Sequence, residues 1–346
     1  MNRLNFLRPG KPVQWVALVV IAVALLLLPR FSVGSGMEFT ADILIYAVMA
    51  IGLYVQLALL GLVNFGFSAF FGLGGYLGAI FLMRVSPDLL TSFAFAALCS
   101  AVVAALFGLI ALKTKNTAFT MITLTFSQLL YVLAVADDRW TGGVNGLTGV
   151  PRPRLPAWVS EPLGLSLDSD AGFYYLCVAV FALTVWLVWI LQRSRLGSVL
   201  AGIRENEERM VVLGYPVQAY KLAGFVISGV IGGYAGYMNA TLFGYVGPGA
   251  LFWTMSGEAL LMVILGGTAS LAGPVVGAAV FIGISHYAVS FTDHWRLYVG
   301  LAFIAIVLFA PQGLVKIIKD RFARSLRLHQ PKAPAAAPLA TKGEVG

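Results

Sequence analysis

Long apolar runs separated by short polar breaks make up most of this chain. The runs are Val13–Leu28, Ile43–Leu60, Phe65–Met83, Thr91–Leu112, Thr117–Ala136, Gly172–Leu191, Leu222–Phe243, Ala259–Gly266, Gly273–Val289 and Leu297–Ala310. A straight helix needs about 20 apolar residues to cross a bilayer core. The pattern therefore predicts an all-α polytopic membrane protein with about 10 membrane-embedded helices. Two Gly-rich stretches interrupt it. The first is Gly61–Gly78, with Gly61, Gly66, Gly72, Gly74, Gly75 and Gly78; the second is Gly266–Gly277, which contains Gly266, Gly267 and Gly273-Pro274. Glu258–Gly266 reaches only about half the hydrocarbon thickness as a helix, so this region is expected to be broken or re-entrant. Irregular backbone at that depth survives only inside protein or beside a water-filled cavity.

Composition agrees with the pattern: 59% of the 346 residues are hydrophobic, 11% are charged, and the mean hydropathy is +0.87. Lys and Arg fix the orientation. With the N-terminus inside, only Arg30, Arg84, Arg139, Arg152, Arg154 and Arg296 fall outside, and the rest of the 23 Lys and Arg fall inside. Both termini are then cytoplasmic, and Ala259–Val289 must cross twice or dip and return. The net charge of +8 is a topology signal and gives no reason to expect nucleic acid as a partner. The first run is expected to be an uncleaved anchor. A transmembrane domain covers residues 1–314, with a cytoplasmic loop at 192–221 and a periplasmic loop at 137–171, which is a turn-rich cap or a flexible loop. Residues 315–346 form a basic cytoplasmic tail, membrane-attracted at its start and disordered at its end.

The residues for catalysis are missing. GLGGYLG lies inside an apolar run with no Lys-Ser/Thr after it, so it is not a phosphate loop. His286, His294 and His329 are dispersed, Cys99 and Cys177 lie within spans, and neither a metal site nor a cofactor is expected. An ion-coupled transporter would carry acidic or basic groups at mid-span; here Asp42 and Glu258 sit near predicted span ends. The energy for any movement is thus expected from outside the chain.

Neutral polar groups are the candidates for a translocation path. Asn64 and Ser68 are four residues apart, as on one helical face, beside Phe67 and the glycines Gly72, Gly74 and Gly75. Thr120, Thr123 and Ser127 form one stripe of the fifth run. Interrupted segments in both halves, here including Gly266 and Gly267, point to a binding site. The same glycines and hydroxyls also suit close helix packing and interhelical hydrogen bonds, and both uses remain open.

Arg193–Lys221 is the long charged segment between two runs, with five Lys or Arg and three Glu. Arg204, Glu205, Glu207, Glu208 and Arg209 cluster within a helical pattern, Gly214 stands where a helix C′ residue belongs, and Pro216 follows. Two short helices with a sharp glycine turn would make a rigid docking knob.

The segment RSRLGSVLAGIRENEERMVVLGYPVQAYKLAGFVISGVIGGYAG resembles a characteristic stretch of the permease subunits of branched-chain amino acid ABC importers, the LivM-like half of the pair. GLVNFGFSAFFGLGGY, LKTKNTAFTMITLTFSQLLY with TGGVNGLTG, and PGALFWTMSGEALLMVILGGTASLAGPVVGA agree with the same family, so the resemblance runs from about Asp42 to Leu314. It implies a second, homologous permease subunit, two ABC ATPase subunits docked on the knob, and a periplasmic solute-binding protein, all at the bacterial inner membrane. It also implies that Arg204, Glu205, Glu207, Glu208 and Gly214 serve ATPase coupling. Asn64 and Phe67 depart from the family's usual Ser and His. The implied solutes are branched-chain or other hydrophobic amino acids, with urea, short amides or aromatic carboxylates as the alternative.

Overall fold

The computed structural model describes residues 35–155 and 167–291 and scattered positions between 297 and 316. The first apolar run, residues 156–166 of the outer loop, most of the tenth run and nearly all of the tail lie outside the described residues. The described chain is helical: α1 (Ser35–Tyr54), α2 (Phe67–Arg84), α3 (Leu89–Ala111), α4 (Asn116–Ala136), α5 (Asp170–Arg193), α6 (Arg195–Glu205), α7 (Glu207–Val212), α8 (Val217–Phe243), α9 (Trp253–Gly266) and α10 (Ala272–Phe291). A π-helical turn, Val55–Leu60, extends α1.

Five of these segments are long and apolar enough to span a membrane: Gly36–Leu60, Phe67–Arg84, Leu89–Ala111, Asn116–Ala136 and Asp170–Arg193. Their burial sorts them. The α1 segment is 83% buried and α2 67%, whereas α3, α4 and α5 are 22–28% buried. The outer three show rows of large apolar side chains such as Leu98, Val102 and Leu106 on α3 and Trp186 and Ile190 on α5. Such faces suit lipid or another membrane subunit, and the chain is an all-α, multi-pass membrane protein.

The 27-residue α8, which contains the run Leu222–Phe243, is the axis, and it is rich in glycine. Its small residues let neighbouring backbones come close. A side chain on Gly74 of α2 would run into the Gly233 carbonyl of α8, and one on Gly236 would run into the Phe71 carbonyl of α2. Ser100 and Ala104 of α3 fill the space over Gly233 and Gly229. Buried hydroxyls add bonds: Ser228 donates to the Gly52 carbonyl at 2.7 Å, and Tyr237 and Tyr234 pair with Ser92 at 2.7 Å and Thr184 at 2.6 Å. Such bonds contribute about 0.6 kcal/mol each in a bilayer, so glycine packing holds the axis.

The half-helix before the second interruption is longer than its sequence indicates. The half-helix begins at Trp253, not Glu258, because Pro248–Leu251 forms a 3-10 turn and Phe252 is extended. Its 14 residues still reach only about 20 Å, short of a full crossing. α9 and α10 then close as a hairpin, with Gly266 against the Gly273 backbone and Gly277 against the Met262 carbonyl.

At the end away from the knob, the described part of the loop at 137–171 is held by contacts to its neighbours. β1 (Leu147–Thr148) pairs antiparallel with β2 (Tyr245–Val246), which staples the loop after α4 to the loop after α8. Arg152 pairs with Asp170 at 2.7 Å, and the Arg84 guanidinium lies 4.5 Å from the Trp140 ring centroid.

Candidate functional site

The break after α1 begins at Gly61, which takes a left-handed φ of 72° and ends the π turn. From there Gly61–Asn64 is non-helical, and α2 starts only at Phe67. Asn64 and Ser68 therefore do not share a helical face, a correction to the expectation from their spacing. Asn64 folds the turn instead. Its Oδ1 accepts from the Gly66 N–H at 2.7 Å, and its Nδ2 donates to Gln56 Oε1 at 2.8 Å. Both side chains are buried, with Gln56 at 0% exposure inside the π turn.

The stripe on α4 follows this irregular strand. Thr120 Oγ1 donates to the Val63 carbonyl at 3.1 Å, the Thr123 backbone presses on Gly66, and Ser127 meets Ser68. Its spacing on α4 matches the climb of the break, so the stripe supplies partners that a bilayer would not. Thr120 is half-buried; Thr123 and Ser127 are buried.

Ser68 joins the start of α2 to the start of α9. Its N–H, an orphan donor of the first turn of α2, donates to Ser256 Oγ of α9 at 2.7 Å. Ser127 Oγ donates to the Leu251 carbonyl at 2.6 Å, and Ser68 and Ser127 hydroxyls are 2.8 Å apart. A hydroxyl has one proton. Ser127 gives its proton to Leu251, which leaves Ser68 as the donor between the two serines. All three serines are at most 1% exposed. The cluster is a closed polar lock that joins the first turn of α2, α4, the 3-10 turn and the first turn of α9. Replacing Ser127 by alanine removes the shorter bond to Leu251, and an expected loss of about 1–2 kcal/mol should appear as a lower midpoint of thermal unfolding in detergent.

Phe67 lies at 0% exposure, its ring wedged between Gly52 of α1 and Gly232 of α8. Gly72, Gly74 and Gly75 lie within α2 and face Leu251, Gly233 and Gly236. Close packing thus occupies these glycines, while the break itself is confined to the residues before Phe67. Gly266 and Gly267 form the α9–α10 turn, Gly267 with φ 97°.

The charged segment is a two-helix knob. Ser194 caps α6, accepting from the Gly197 N–H at 3.2 Å, and Asn206 caps α7, accepting from the Arg209 N–H at 2.9 Å. Gly214, at φ 83°, stands as C′: its N–H donates to Val211 and that of Tyr215 to Met210, the paired bonds of a Schellman ending. Leu200 of α6 lies near Gly224 of α8, beside Leu60. Two charged side chains turn inward. Arg204 donates to the Ala58 carbonyl in the π turn, with its stem against Gly61. Glu207 pairs with Lys221 of α8 at 2.6 Å. Glu205, Glu208 and Gly214 stay at the surface with an apolar tip of Val211, Val212, Leu213 and Tyr215, of which Val212 is 86% exposed. Sequence reasoning misses this division and also Gln56, Leu251 and Ser256; the partners of Ser68 and Arg204 include main-chain oxygens, which leave no signature in sequence.

Among the described residues no group of His, Cys, Asp and Glu is arranged to hold a metal ion. The family model "Branched-chain amino acid transport system / permease component" matches residues 36–310. Two high-affinity branched-chain amino acid transport system permease proteins LivM are similar to the chain. The protein from Escherichia coli (strain K12) is 28% identical and that from Salmonella typhimurium (strain LT2) 27%, each over 323 residues that cover 88% of this chain and 75% of the relative. No solved structure matches it. Spans, knob and matched region coincide over residues 36–310, and the chain belongs to the branched-chain amino acid transport permease family.

Proposed function

We propose that the chain is the permease subunit of an ABC importer of the bacterial inner membrane. It forms part of the translocation path for branched-chain or other hydrophobic amino acids and pairs with a second, homologous permease. Two cytoplasmic ATPases drive it through the knob, and a periplasmic binding protein delivers solute to the opposite face. The observation that carries this reading is the knob's two-sided construction. Arg204 and Glu207 bolt it to α1 and α8, while Val211, Val212, Leu213 and Tyr215 stand out from it. Exposed apolar residues on a short, well-capped helix outside the spans are a contact surface for another protein. The family supplies the class of partner.

Within this mechanism the nucleotide chemistry belongs to the partners. Their closure displaces the knob, and the knob moves the inner ends of α1 and α8 because it is fastened to both. The serine lock at Ser68, Ser127 and Ser256 is the closed state of the path beside the break. The paired glycines of α2 and α8 keep the axis rigid while the break and the α9–α10 hairpin take up the change. Asn64, Thr120 and Thr123 line the segment that would move.

Reconstitution tests the proposal. The complete complex in liposomes should accumulate leucine only while ATP is hydrolysed, and the chain alone should accumulate none. Solute accumulation by the isolated chain on an ion gradient would overturn it. The surface charge Glu208 offers a second test. Glu208→Lys should weaken stimulation of ATP hydrolysis by loaded binding protein several-fold, because a charge on a docking rim acts on association, with no change in thermal stability.

A further inference from the structure

A cavity of about 390 Å³ opens between α2 and α4 on the side away from the knob. We propose that it is a solute vestibule, which takes the apolar side chain of an amino acid and halts it above the serine lock; this rests on the reading of the chain as an importer permease. Its size lies in the range of small-molecule sites, which are mostly apolar with a few polar groups. Leu73 and Leu77 of α2 face Leu130 and Leu133 of α4 across it, and Leu251 belongs to the same lining.

Leu251 gives the cavity its place in the path. Leu251 lines the cavity, and its carbonyl accepts from Ser127 Oγ at 2.6 Å, with Ser68 Oγ 3.2 Å away. A solute in the cavity therefore presses on the residue that closes the lock. Opening the lock frees Leu251 and joins the cavity to the break.

A second observation points to a ligand with a polar head. Tyr76 lines the cavity at 3% exposure, and its hydroxyl is buried with no hydrogen-bond partner among the described residues. An unmade hydrogen bond at a buried hydroxyl is unfavourable by about 1–3 kcal/mol, which a solute carboxylate or ammonium group would relieve. A lipid chain offers no such group. Asp137 and Thr141, just after α4, also line the cavity and add polar character there. The ligand class is a small zwitterion with a branched apolar side chain.

The test uses the complete reconstituted complex and radiolabelled leucine, valine and phenylalanine. Leu77→Trp fills the cavity and should lower leucine uptake by at least about tenfold, and valine uptake by less, since pockets discriminate by size at about this scale. Leu77→Ala enlarges it and should raise phenylalanine uptake relative to valine. Tyr76→Phe should raise the KM for all three. Leu98→Trp, on the exposed face of α3, is the control and should change nothing. A size-dependent shift in opposite directions is beyond what a merely destabilised fold produces. If wild type accumulates leucine and both Leu77 variants keep its selectivity, the vestibule is disproved and the importer reading stands. The vestibule is equally disproved if Leu77→Trp loses only co-purified lipid. If wild type with ATP accumulates no amino acid, the importer reading fails and the vestibule falls with it.

Discussion

Gly74→Ala should leave little folded protein, whereas Gly257→Ala should leave its amount and stability unchanged. The two substitutions add the same methyl group to a helix. At Gly257 of α9 nothing lies within 4 Å of the new carbon, and alanine is the better helix former by about 1 kcal/mol. At Gly74 the methyl would occupy the place of the Gly233 carbonyl and its neighbouring carbons. The obstacle is backbone, so no rotamer change relieves it, and α2 must move away from α8. That movement spreads. It loosens the contact of Gly236 with the Phe71 carbonyl and the wedge of Phe67 between Gly52 and Gly232. Ordinary overpacking destabilises by about 1–3 kcal/mol, and a rigid obstacle at the central crossing should exceed about 3 kcal/mol. Size-exclusion profiles and thermal unfolding of the two detergent-extracted variants read the difference directly. Equal stability of the pair would mean that α2 and α8 do not meet through Gly74 and Gly233.

The same contact shows what the sequence could and could not disclose. Apolar runs located the spans because burial in lipid demands about 20 apolar residues whatever the tertiary fold. Gly214 was legible as knob punctuation because capping is local chemistry, whereas the Asn206 cap between α6 and α7 shows only in the fold. The glycines of α2 were not assignable, since Gly61 and Gly74 look alike in a string. Only the fold shows that Gly61 turns the chain at φ 72° while Gly74 faces another helix. The stripe of Thr120, Thr123 and Ser127 was visible by its period. Its purpose was not, because its partners are the Val63 carbonyl, the Gly66 turn and a carbonyl at Leu251, 124 residues further along. Glu207 and Glu208 are adjacent and identical in kind, yet one is taken up by Lys221 and the other faces outward. About 100° of helix rotation separates an internal strut from an outward-facing group, and residue type alone does not record it.

On the proposed mechanism, Arg204→Ala should uncouple transport: ATP hydrolysis by the complete complex stays within about twofold of wild type, while uptake falls on the order of tenfold, the upper end for a residue between coupled sites. The expectation follows from what the guanidinium joins. It leaves the knob, crosses Gly61 and donates to the Ala58 carbonyl in the π turn. That carbonyl is among the last of the α1 segment, where acceptors lack helical partners and a cation is favourable. The next link is covalent: the π turn also holds Gln56, which accepts from Asn64, which in turn positions Gly66 at the start of α2. A push on the knob thus reaches the break through one side chain and one turn of helix. Glu207 and Lys221 still tie the knob to α8 in the variant, so the surface on which we propose the ATPases dock stays folded. Only the branch to the break is cut. Glu207→Ala is the contrasting case, since it strands the Lys221 ammonium, whose side chain is 8% exposed; it should lower stability by about 2 kcal/mol and depress hydrolysis and uptake together. Arg204→Lys should recover part of the coupling, because an ammonium can still donate to one carbonyl but lacks the planar reach of the guanidinium. Parallel measurement of phosphate release and leucine accumulation separates the cases. Loss of both activities in equal measure by Arg204→Ala would assign Arg204 to the ATPase contact instead of the linkage.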